Sequence, residues 1–211
     1  MKLYGFPPSP NTWKVRAVAA QLGIKLELQL VDLTKGEQRT PGYLALNPPG
    51  RTPTLVDGDF KLWESTAIMQ YLASRSTNSL WPNDTRVRAD IMRWQSWQLQ
   101  HFGPDACVPL TFQRLVKKIL NLGPPEQAVV DKALEAFKRE ASVLDAHLAK
   151  QRYLVGQELT LADLSVAAVL VYAKEAEMPL AQYPRVQEWS GRIYALQAWR
   201  ETAPTPTAAA A

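Results

Sequence analysis

The stretch that decides the fold is NPPGRTPTLVDGDFKLWESTAI, residues 47–68. Two β-like runs lie on either side of Asp57-Gly58, a dipeptide that favours a tight turn between antiparallel strands. Pro53 stands directly before the first run, where its missing N–H removes no bond from a ladder. Ser65 is a typical helix N-cap, and helical spacing of apolar residues continues to Arg75. The stretch therefore predicts a hairpin that leads straight into a helix.

Upstream of the hairpin, the sequence predicts a βαβ unit. Apolar runs and helix signals favour a strand from Lys2 to Phe6, a helix from Thr12 to Leu22 with Gly23 past its end, and a strand from Leu26 to Val31. Residues 32–50 are rich in Pro and Gly and predict an irregular segment with a short helix near Tyr43. The predicted order of the first part is therefore βαβαββα.

Downstream of the hairpin, the chain predicts helices only. The polar, turn-rich stretch STNSLWPNDT at residues 76–85 indicates a domain boundary. We therefore predict domains at 1–76 and 87–211, joined by a linker at 77–86. The predicted helices span Arg86 to Phe102, Glu126 to Leu148, and roughly 161–175 and 185–198. The residues beyond Glu201 predict a frayed tail.

Composition excludes several classes of protein. Lys and Arg number 24 against 20 Asp and Glu, but they form no basic run, which argues against a nucleic acid partner. No apolar run approaches the ~20 residues that span a bilayer, and Met1 to Pro8 lacks a signal-peptide core, so we expect no membrane partner and a cytoplasmic location. Cys107 is the only cysteine and predicts a buried, inert thiol. His101 and His147 stand alone, so we expect no metal site.

Ser9 opens SPNTWKV, residues 9–15, and has two interpretations. Serine before proline is the preferred start of a helix, in which the hydroxyl caps a free backbone N–H. The same helix end presents N–H groups and positive dipole density to an anion, and a hydroxyl there can donate to a thiolate and keep it ionised. The residues alone leave both roles open.

Three further motifs also have two interpretations each. Thr52-Pro53 is trans in the commoner case, whereas a cis bond aims the Thr52 backbone at a peptide alongside. Glu64 and Ser65 are either a solvated acid and a plain cap, or together a binding site for the ammonium and carboxylate of an α-amino acid. Thr160 and Asp163 in LTLADLSVAAVLVY, residues 159–172, predict a capping box on a buried helix, which is a structural role.

In their order and spacing, the motifs SPNTWKV, NPPGRTPTL, LWESTAI and LTLADLSVA make the chain resemble the soluble (cytosolic-type) glutathione S-transferases, and within them a serine-type bacterial class. The resemblance covers nearly the whole chain. It implies the fold class α/β plus all-α: a thioredoxin-like, glutathione-binding N-terminal domain followed by an all-helical C-terminal domain. No cysteine lies near position 9, which argues against the classes that form a mixed disulfide with glutathione.

The resemblance also implies roles for residues. Ser9 matches the residue that activates the glutathione sulfur, and Asn11 matches an asparagine important in some bacterial relatives. Pro53 matches a cis-proline, Thr52 the backbone contact to the cysteinyl part, and Glu64 with Ser65 the pair that holds the γ-glutamyl head. The implied glutathione-binding set is Gln38, Arg39, Arg51, Thr52, Pro53, Glu64 and Ser65, the first three facing the glycyl carboxylate.

The second substrate is expected in an apolar pocket between the two domains. The candidate residues are aromatic side chains and one histidine: Phe6, Trp13, Trp97, His101 and Phe112. Trp94, Trp97 and His101 recur at helical spacing, so we expect them on one packed face of a helix.

The resemblance implies conjugation of the glutathione thiolate to small apolar electrophiles, a detoxification reaction that uses glutathione as co-substrate. Two alternatives stay open: a glutathione-dependent disulfide reductase or peroxidase, and a non-catalytic interaction module. A homodimer is expected, but Pro49 stands where several classes carry an aromatic dimer key.

Overall fold

The N-terminal elements follow the predicted order βαβαββα. The computed structural model describes residues 1–204 of the chain. Its first elements are β1 Lys2–Gly5, α1 Pro10–Gln21, β2 Glu27–Leu30, α2 Pro41–Leu44, β3 Thr54–Asp57, β4 Phe60–Trp63 and α3 Ser65–Ala73. Two short 3₁₀ turns, Leu33–Lys35 and Glu37–Arg39, lie in the segment predicted to be irregular. Gly23 follows α1 with φ +67°, as its position past the helix end predicts.

Within the described residues the strands form one sheet in the order β2-β1-β3-β4. β1 and β2 are parallel, since α1 carries the chain back between them, and the other two pairs are antiparallel. Leu3 and Leu55 lie opposite each other in the two central strands, and both are fully buried. The core of this unit therefore lies on the face of the sheet to which the apolar residues of β1 and β3 point.

The hairpin turn lies one residue later than predicted. Asp57 pairs with Phe60 across the hairpin, so Gly58 and Asp59 form the two-residue loop, and Asp57 is the last residue of β3. Gly58 has φ +64°, which the first central position of such a loop favours. The sequence identified the turn but not its register.

The second part is helical, as predicted, but its first long helix changes type. The helices are α4 Thr85–Trp97, α5 Val108–Thr111, α6 Lys117–Ile119, α7 Gln127–Leu148, α8 Leu161–Ala168 and α9 Pro184–Tyr194. The predicted helix to Phe102 ends as an α-helix at Trp97 and continues as a π-helix over Gln98–Cys107. Pro104 lies inside this π segment, and proline cannot donate an i→i−4 bond, so the wider turn accommodates it.

Asp163 has the structural role that the sequence predicts. Its carboxylate accepts hydrogen bonds from the Thr160 N–H and hydroxyl at the start of α8, at 2.9 and 3.0 Å. All eight residues of α8 are buried. The helix ends at Ala168, earlier than the predicted 175.

The last helix, α10 Gln197–Glu201, packs with the first unit instead of the helical one. The Trp13 indole N–H donates to the Trp199 carbonyl at 3.0 Å, and the two rings are 5.1 Å apart. Arg16 donates to the carbonyl of Thr202, which is buried, so the predicted frayed tail does not begin at 202. The rest of that predicted tail, residues 205–211, lies outside the described residues.

The chain therefore divides differently from the predicted domains. Residues 1–81 form one compact unit with the segment that starts at Ala195, and residues 82–194 form the other. The break falls inside the predicted linker 77–86, but the helical unit does not extend to 211, because the Trp13–Trp199 contact holds α10 against α1. None of the helices that the structure describes has the length and apolar character needed to cross a membrane.

Candidate functional site

The candidate site lies at one edge of the sheet in the first unit. Thr54 at the start of β3 pairs with Tyr4 near the end of β1 on one side and with Trp63 at the end of β4 on the other. The end of β1 leads into α1, and the end of β4 leads into α3. The starts of α1 and α3 are joined directly, since the Ser65 hydroxyl donates to the Asn11 side-chain oxygen at 3.3 Å. This edge therefore brings Asn11 and Ser65 together from 54 residues apart.

Ser9 occupies the N-cap position of α1, but its hydroxyl does not cap the helix. The Ser9 carbonyl accepts from the Trp13 N–H at 2.9 Å, and Pro10 is the first helical residue. The side chain makes no capping hydrogen bond. The predicted side-chain cap is therefore wrong: proline at the first helical position already removes one free N–H. Within the described part of the chain, the half-buried Ser9 residue therefore presents an uncapped hydroxyl at a positive helix end.

Glu64 connects β4 to α3 through an unusual backbone. Its φ is +71° and its ψ 112°, although it carries a side chain. Such conformations cost on the order of 1–3 kcal/mol and cluster at functional sites. The Glu64 side chain is exposed and Ser65 is buried. This conformation puts a carboxylate beside the free N–H groups at the start of α3, the arrangement expected for an α-amino acid head.

Lys14 lies behind Glu64, and the sequence interpretation missed it. It is 0% exposed, and its ammonium has no hydrogen-bond partner among the described residues. Burial lowers the pKa of Lys14 from its usual 10.5 to about 8, and the Glu64 charge partly opposes this. Most neighbouring positions of this helix are also buried, and that packing is not visible in the local sequence.

The loop before β3 is held by two buried polar residues that the sequence interpretation also missed. Thr52-Pro53 is cis, as the resemblance implies. The Tyr43 hydroxyl and the Asn47 amide both donate to the Arg51 carbonyl, at 2.6 and 2.7 Å. Both also contact the Thr54 hydroxyl, at 2.9 and 3.0 Å. This network fixes the backbone on each side of Thr52-Pro53.

The second 3₁₀ turn, Glu37–Arg39, packs against the same loop. Gly50 has φ +61°, and a Cβ there would lie 2.9 Å from the Gln38 carbonyl and 3.1 Å from an Arg39 guanidinium nitrogen. Gln38 and Arg39 are therefore close to the loop that carries Arg51. Arg39 and Arg51 are exposed, and the side-chain oxygen of Gln38 is buried with no partner among the described residues.

The predicted electrophile residues have different surroundings. In the first unit Phe6 is half-buried, and the Trp13 indole is engaged by Trp199. In the helical unit Trp97 donates to Glu140 at 2.8 Å and stacks on Phe102 at 5.0 Å, so it belongs to an aromatic cluster of that unit.

His101 does not share the buried face of Trp94. His101 is exposed, whereas Trp94 is buried and Trp97 half-buried. The reason is the π segment that begins at Gln98, since its wider turn shifts the helical register between Trp97 and His101. Phe112 is 42% exposed and begins a second π segment, Phe112–Val116, after α5. The predicted single face is therefore wrong.

Cys107 is buried, as predicted, and burial raises the pKa of its thiol well above the usual value. A thiol of this kind is inert. His147 contacts the Trp94 ring at 4.7 Å and bonds to the Leu154 carbonyl.

Comparison with known proteins agrees with this architecture. Residues 1–74 match the family model described as "Glutathione S-transferase, N-terminal domain", and residues 104–197 match "Glutathione S-transferase, C-terminal domain". The chain is 41% identical to "Glutathione S-transferase 3" of Zea mays, across 96% of this chain and 92% of that protein. It is 36% identical to "Probable glutathione S-transferase GSTF2" of Oryza sativa, across 90% and 89%.

Solved structures give the same result. Glutathione transferase F7 from Populus trichocarpa superposes with a TM-score of 0.88 at 29% identity, covering 95% of this chain and 96% of that one. Glutathione S-transferase-I bound with lactoylglutathione superposes with a TM-score of 0.87 at 30% identity, covering 96% and 97%.

Proposed function

Since the chain belongs to the soluble glutathione S-transferase family, we propose that it conjugates reduced glutathione to small apolar electrophiles at the site around Ser9. The observation that carries this proposal is the Ser9 hydroxyl, which lies at the N-terminus of α1 without a capping bond. The quoted curated relatives are plant proteins, so a bacterial class is not supported. We retain the serine-type mechanism.

In this mechanism the protein ionises the co-substrate. A free thiol has a pKa near 8.5, so at neutral pH only a few per cent is thiolate. Donation from the Ser9 hydroxyl, together with the α1 helix end, stabilises the thiolate and lowers that pKa. The sulfur then attacks an electrophilic carbon, a C–S bond forms, and the leaving group departs with its electron pair. Asn11 lies in the first turn of α1, and its side-chain oxygen accepts from Ser65, which leaves the amide N–H groups to assist.

Glutathione binding is proposed for the rest of the site. Glu64 accepts from the γ-glutamyl ammonium, and Ser65 with the first N–H groups of α3 binds its carboxylate. The Thr52 backbone pairs with the cysteinyl part in the manner of an added strand. The cationic side chains of Arg39 and Arg51, with Gln38, face the glycyl carboxylate.

Replacing Glu64 by glutamine is expected to weaken glutathione binding at least about tenfold, because a hydrogen bond to a charged group contributes about 1.5–3 kcal/mol. The measurement is the Kd of S-methylglutathione by calorimetry, together with KM and kcat for conjugation. KM should rise and kcat should stay near wild type. Asp59→Asn, an exposed carboxylate in the hairpin loop, is the matched control. Equal affinity of Glu64→Gln and wild type for S-methylglutathione would show that Glu64 does not bind the ligand.

The proposed reaction is tested against its two rivals by one set of assays. Conjugation predicts turnover of chloronitrobenzene-type electrophiles with release of chloride. Reduction of a glutathione-reactive disulfide or of a peroxide, without activity on those electrophiles, would make the protein a reductase. This alternative stays open because Asn11 of the SPN pattern is exposed. No binding of glutathione at millimolar concentration would indicate an interaction module instead.

The electrophile-binding role of Phe6, Trp13, Trp97, His101 and Phe112 stays a proposal. Of the three in the helical unit, Phe112 and His101 are exposed, so they are better placed to meet a ligand than Trp97, whose indole is engaged. Location in the cytoplasm stays a prediction of the sequence.

We also propose that the protein is a homodimer, and a substitution on β4 tests this. Phe60 is 46% exposed and Trp63 41% exposed on β4, an edge strand, and exposed aromatic residues on an edge favour self-association. Pro49 is exposed and offers no aromatic key. Phe60→Lys is expected to raise the dimer Kd at least about tenfold in sedimentation experiments. Leu30→Lys, 62% exposed on the opposite edge strand, is the control and should remain dimeric.

A further inference from the structure

One face of α1 brings a buried cation to the candidate site. Asn11 and Lys14 are three residues apart, so they are neighbours on the same face of the helix. Asn11 accepts from Ser65, which places this face against the start of α3. Lys14 is fully buried, and its ammonium donates to no group of the described residues. The end of an unpartnered cationic side chain therefore lies just inside the glutathione site.

A buried ammonium needs an opposite charge close by, since desolvation of an isolated ion is very costly. Glu64 directly precedes Ser65, the residue that bonds to Asn11, and its charge raises the pKa of Lys14 against the larger effect of burial. α3, which packs against α1, has no charged residue. On α10 the charged residues Arg200 and Glu201 are exposed.

Among the described residues, β1 and α1 contain no acidic side chain that could compete with Glu64 for Lys14. On β1, Lys2 is exposed and Tyr4 half-buried, and on α1 itself Arg16 donates to the Thr202 carbonyl. Glu64 therefore acts on Lys14 by charge attraction at longer range, since the Lys14 ammonium makes no hydrogen bond to that carboxylate.

We propose that Lys14 is a positioning residue of the glutathione site, which acts by holding the Glu64 carboxylate in place to receive the γ-glutamyl ammonium. This inference rests on the proposed function. The Glu64 side chain is exposed and its backbone has φ +71°, so without an anchor its carboxylate would be free to turn into solvent. Lys14 attracts it from the protein side, and the substrate ammonium binds it from the solvent side.

The charge of Lys14 makes the affinity for glutathione depend on pH. The pKa of Lys14 is lowered to about 8 by burial, so the ammonium is mostly present at pH 7 and mostly absent at pH 9. Loss of the proton removes the attraction that holds Glu64. We therefore expect the site to weaken as the pH rises through 8.

The experiment measures the Kd of S-methylglutathione by calorimetry from pH 6.5 to 9, because this ligand has no thiol to titrate. The variants are wild type, Lys14→Arg, Lys14→Met and Glu64→Gln, with Lys14→Met/Glu64→Gln as the double variant. The ligand's own amino group titrates equally in all of them, so differences between variants isolate Lys14.

Wild type is expected to lose about fivefold in affinity between pH 7 and 9 relative to Lys14→Arg, whose guanidinium keeps its charge. Lys14→Met is expected to bind about tenfold more weakly than wild type at pH 7 and about equally at pH 9. The Lys14→Met effect should disappear in the Glu64→Gln background, because Lys14 acts through that carboxylate.

Equal affinities and parallel pH profiles for wild type and Lys14→Met would overturn the role of Lys14 while leaving the proposed function standing. Failure of the wild type to bind S-methylglutathione at millimolar concentration would overturn both. If Lys14→Met does not fold, the comparison of wild type with Lys14→Arg decides, since a shared loss of affinity above pH 8 contradicts the inference.

Discussion

Replacing Ser9 by alanine is expected to lower kcat/KM for conjugation about a hundredfold, the loss typical when one donor to a developing or ionised centre is removed. The hydroxyl lies at the N-terminus of α1 and makes no capping bond, so it is available to the glutathione sulfur. Without it the helix end alone stabilises the thiolate, and the pKa of the bound thiol rises. Activity should then recover in part at higher pH, where the thiol ionises unaided.

The stability of Ser9→Ala separates this role from a cap. A side-chain cap contributes about 1 kcal/mol. Because Ser9 has no such bond, its substitution should change the free energy of unfolding by less than about 0.5 kcal/mol. The matched control is Asp84→Ala, since the Asp84 carboxylate accepts from the N–H groups of Arg86 and Val87 at the start of α4. That variant should lose about 1 kcal/mol of stability and keep its activity.

The measurement is a pH titration of the ultraviolet absorbance of the thiolate of bound glutathione, in wild type, Ser9→Ala and Asn11→Ala. A raised thiol pKa in Ser9→Ala with unchanged unfolding supports the hydroxyl as the activating group. An unchanged pKa in Ser9→Ala together with a raised one in Asn11→Ala would assign the chemistry to Asn11. Loss of stability in Ser9→Ala comparable to Asp84→Ala would mean that the hydroxyl caps α1 in solution.

Much of the fold could be predicted because its signals are local. Alternating strands, the proline before β3 and the serine before α3 each act over a few residues. Their order carries the resemblance, and the resemblance implied the thioredoxin-like unit. The position of α10 could not be predicted, since the Trp13–Trp199 contact joins residues 186 apart. The π segment was missed because Pro104 and the apolar spacing before it give opposite signals.

Some residues of the candidate site could be predicted from the sequence, and others could not. The sequence identified Ser9, Glu64 and Ser65, because each lies at the start of a helix. At such a position the local sequence signal and the ligand-binding groups occur in the same residues. Lys14 was missed because its burial depends on how α1 packs against α3 and α10, which the local sequence does not show. Tyr43 and Asn47 hold a carbonyl that only the folded loop presents to them. Residues that support a site are therefore harder to find from sequence than residues that touch the ligand.

The second large effect is expected in the helical unit, where replacing Asp163 by alanine should cost about 4 kcal/mol of unfolding free energy. Asp163 is 0% exposed, and its carboxylate accepts four hydrogen bonds. One oxygen accepts from the Leu154 N–H at 2.8 Å and from the Trp189 indole at 2.9 Å, and both donors are buried. Alanine leaves these donors without partners and removes the capping box at Thr160.

The residues that bond to Asp163 explain why this loss should exceed that of an ordinary cap. Leu154 lies in the loop before α8, and Trp189 is a fully buried residue of α9, so one carboxylate joins three segments of the helical unit. Asp163→Asn retains an acceptor for Leu154 and Trp189 but turns an NH₂ group toward the Thr160 N–H, so about half of the loss is expected. The thiol activation proposed for Ser9, which lies in the other unit, should persist wherever the variant is folded.

Chemical denaturation of wild type, Asp163→Ala, Asp163→Asn and Asp131→Ala measures these losses. Asp131 is exposed on α7 and accepts only from Gln127 within the described residues, so its substitution should change stability by less than about 0.5 kcal/mol. The free energy of unfolding should be lowest for Asp163→Ala and highest for Asp131→Ala. Asp163→Asn should lie between these two variants. A loss for Asp163→Ala no larger than the ~1 kcal/mol of a surface cap would mean that Leu154 and Trp189 find other acceptors, and that the carboxylate does not join α8 to α9.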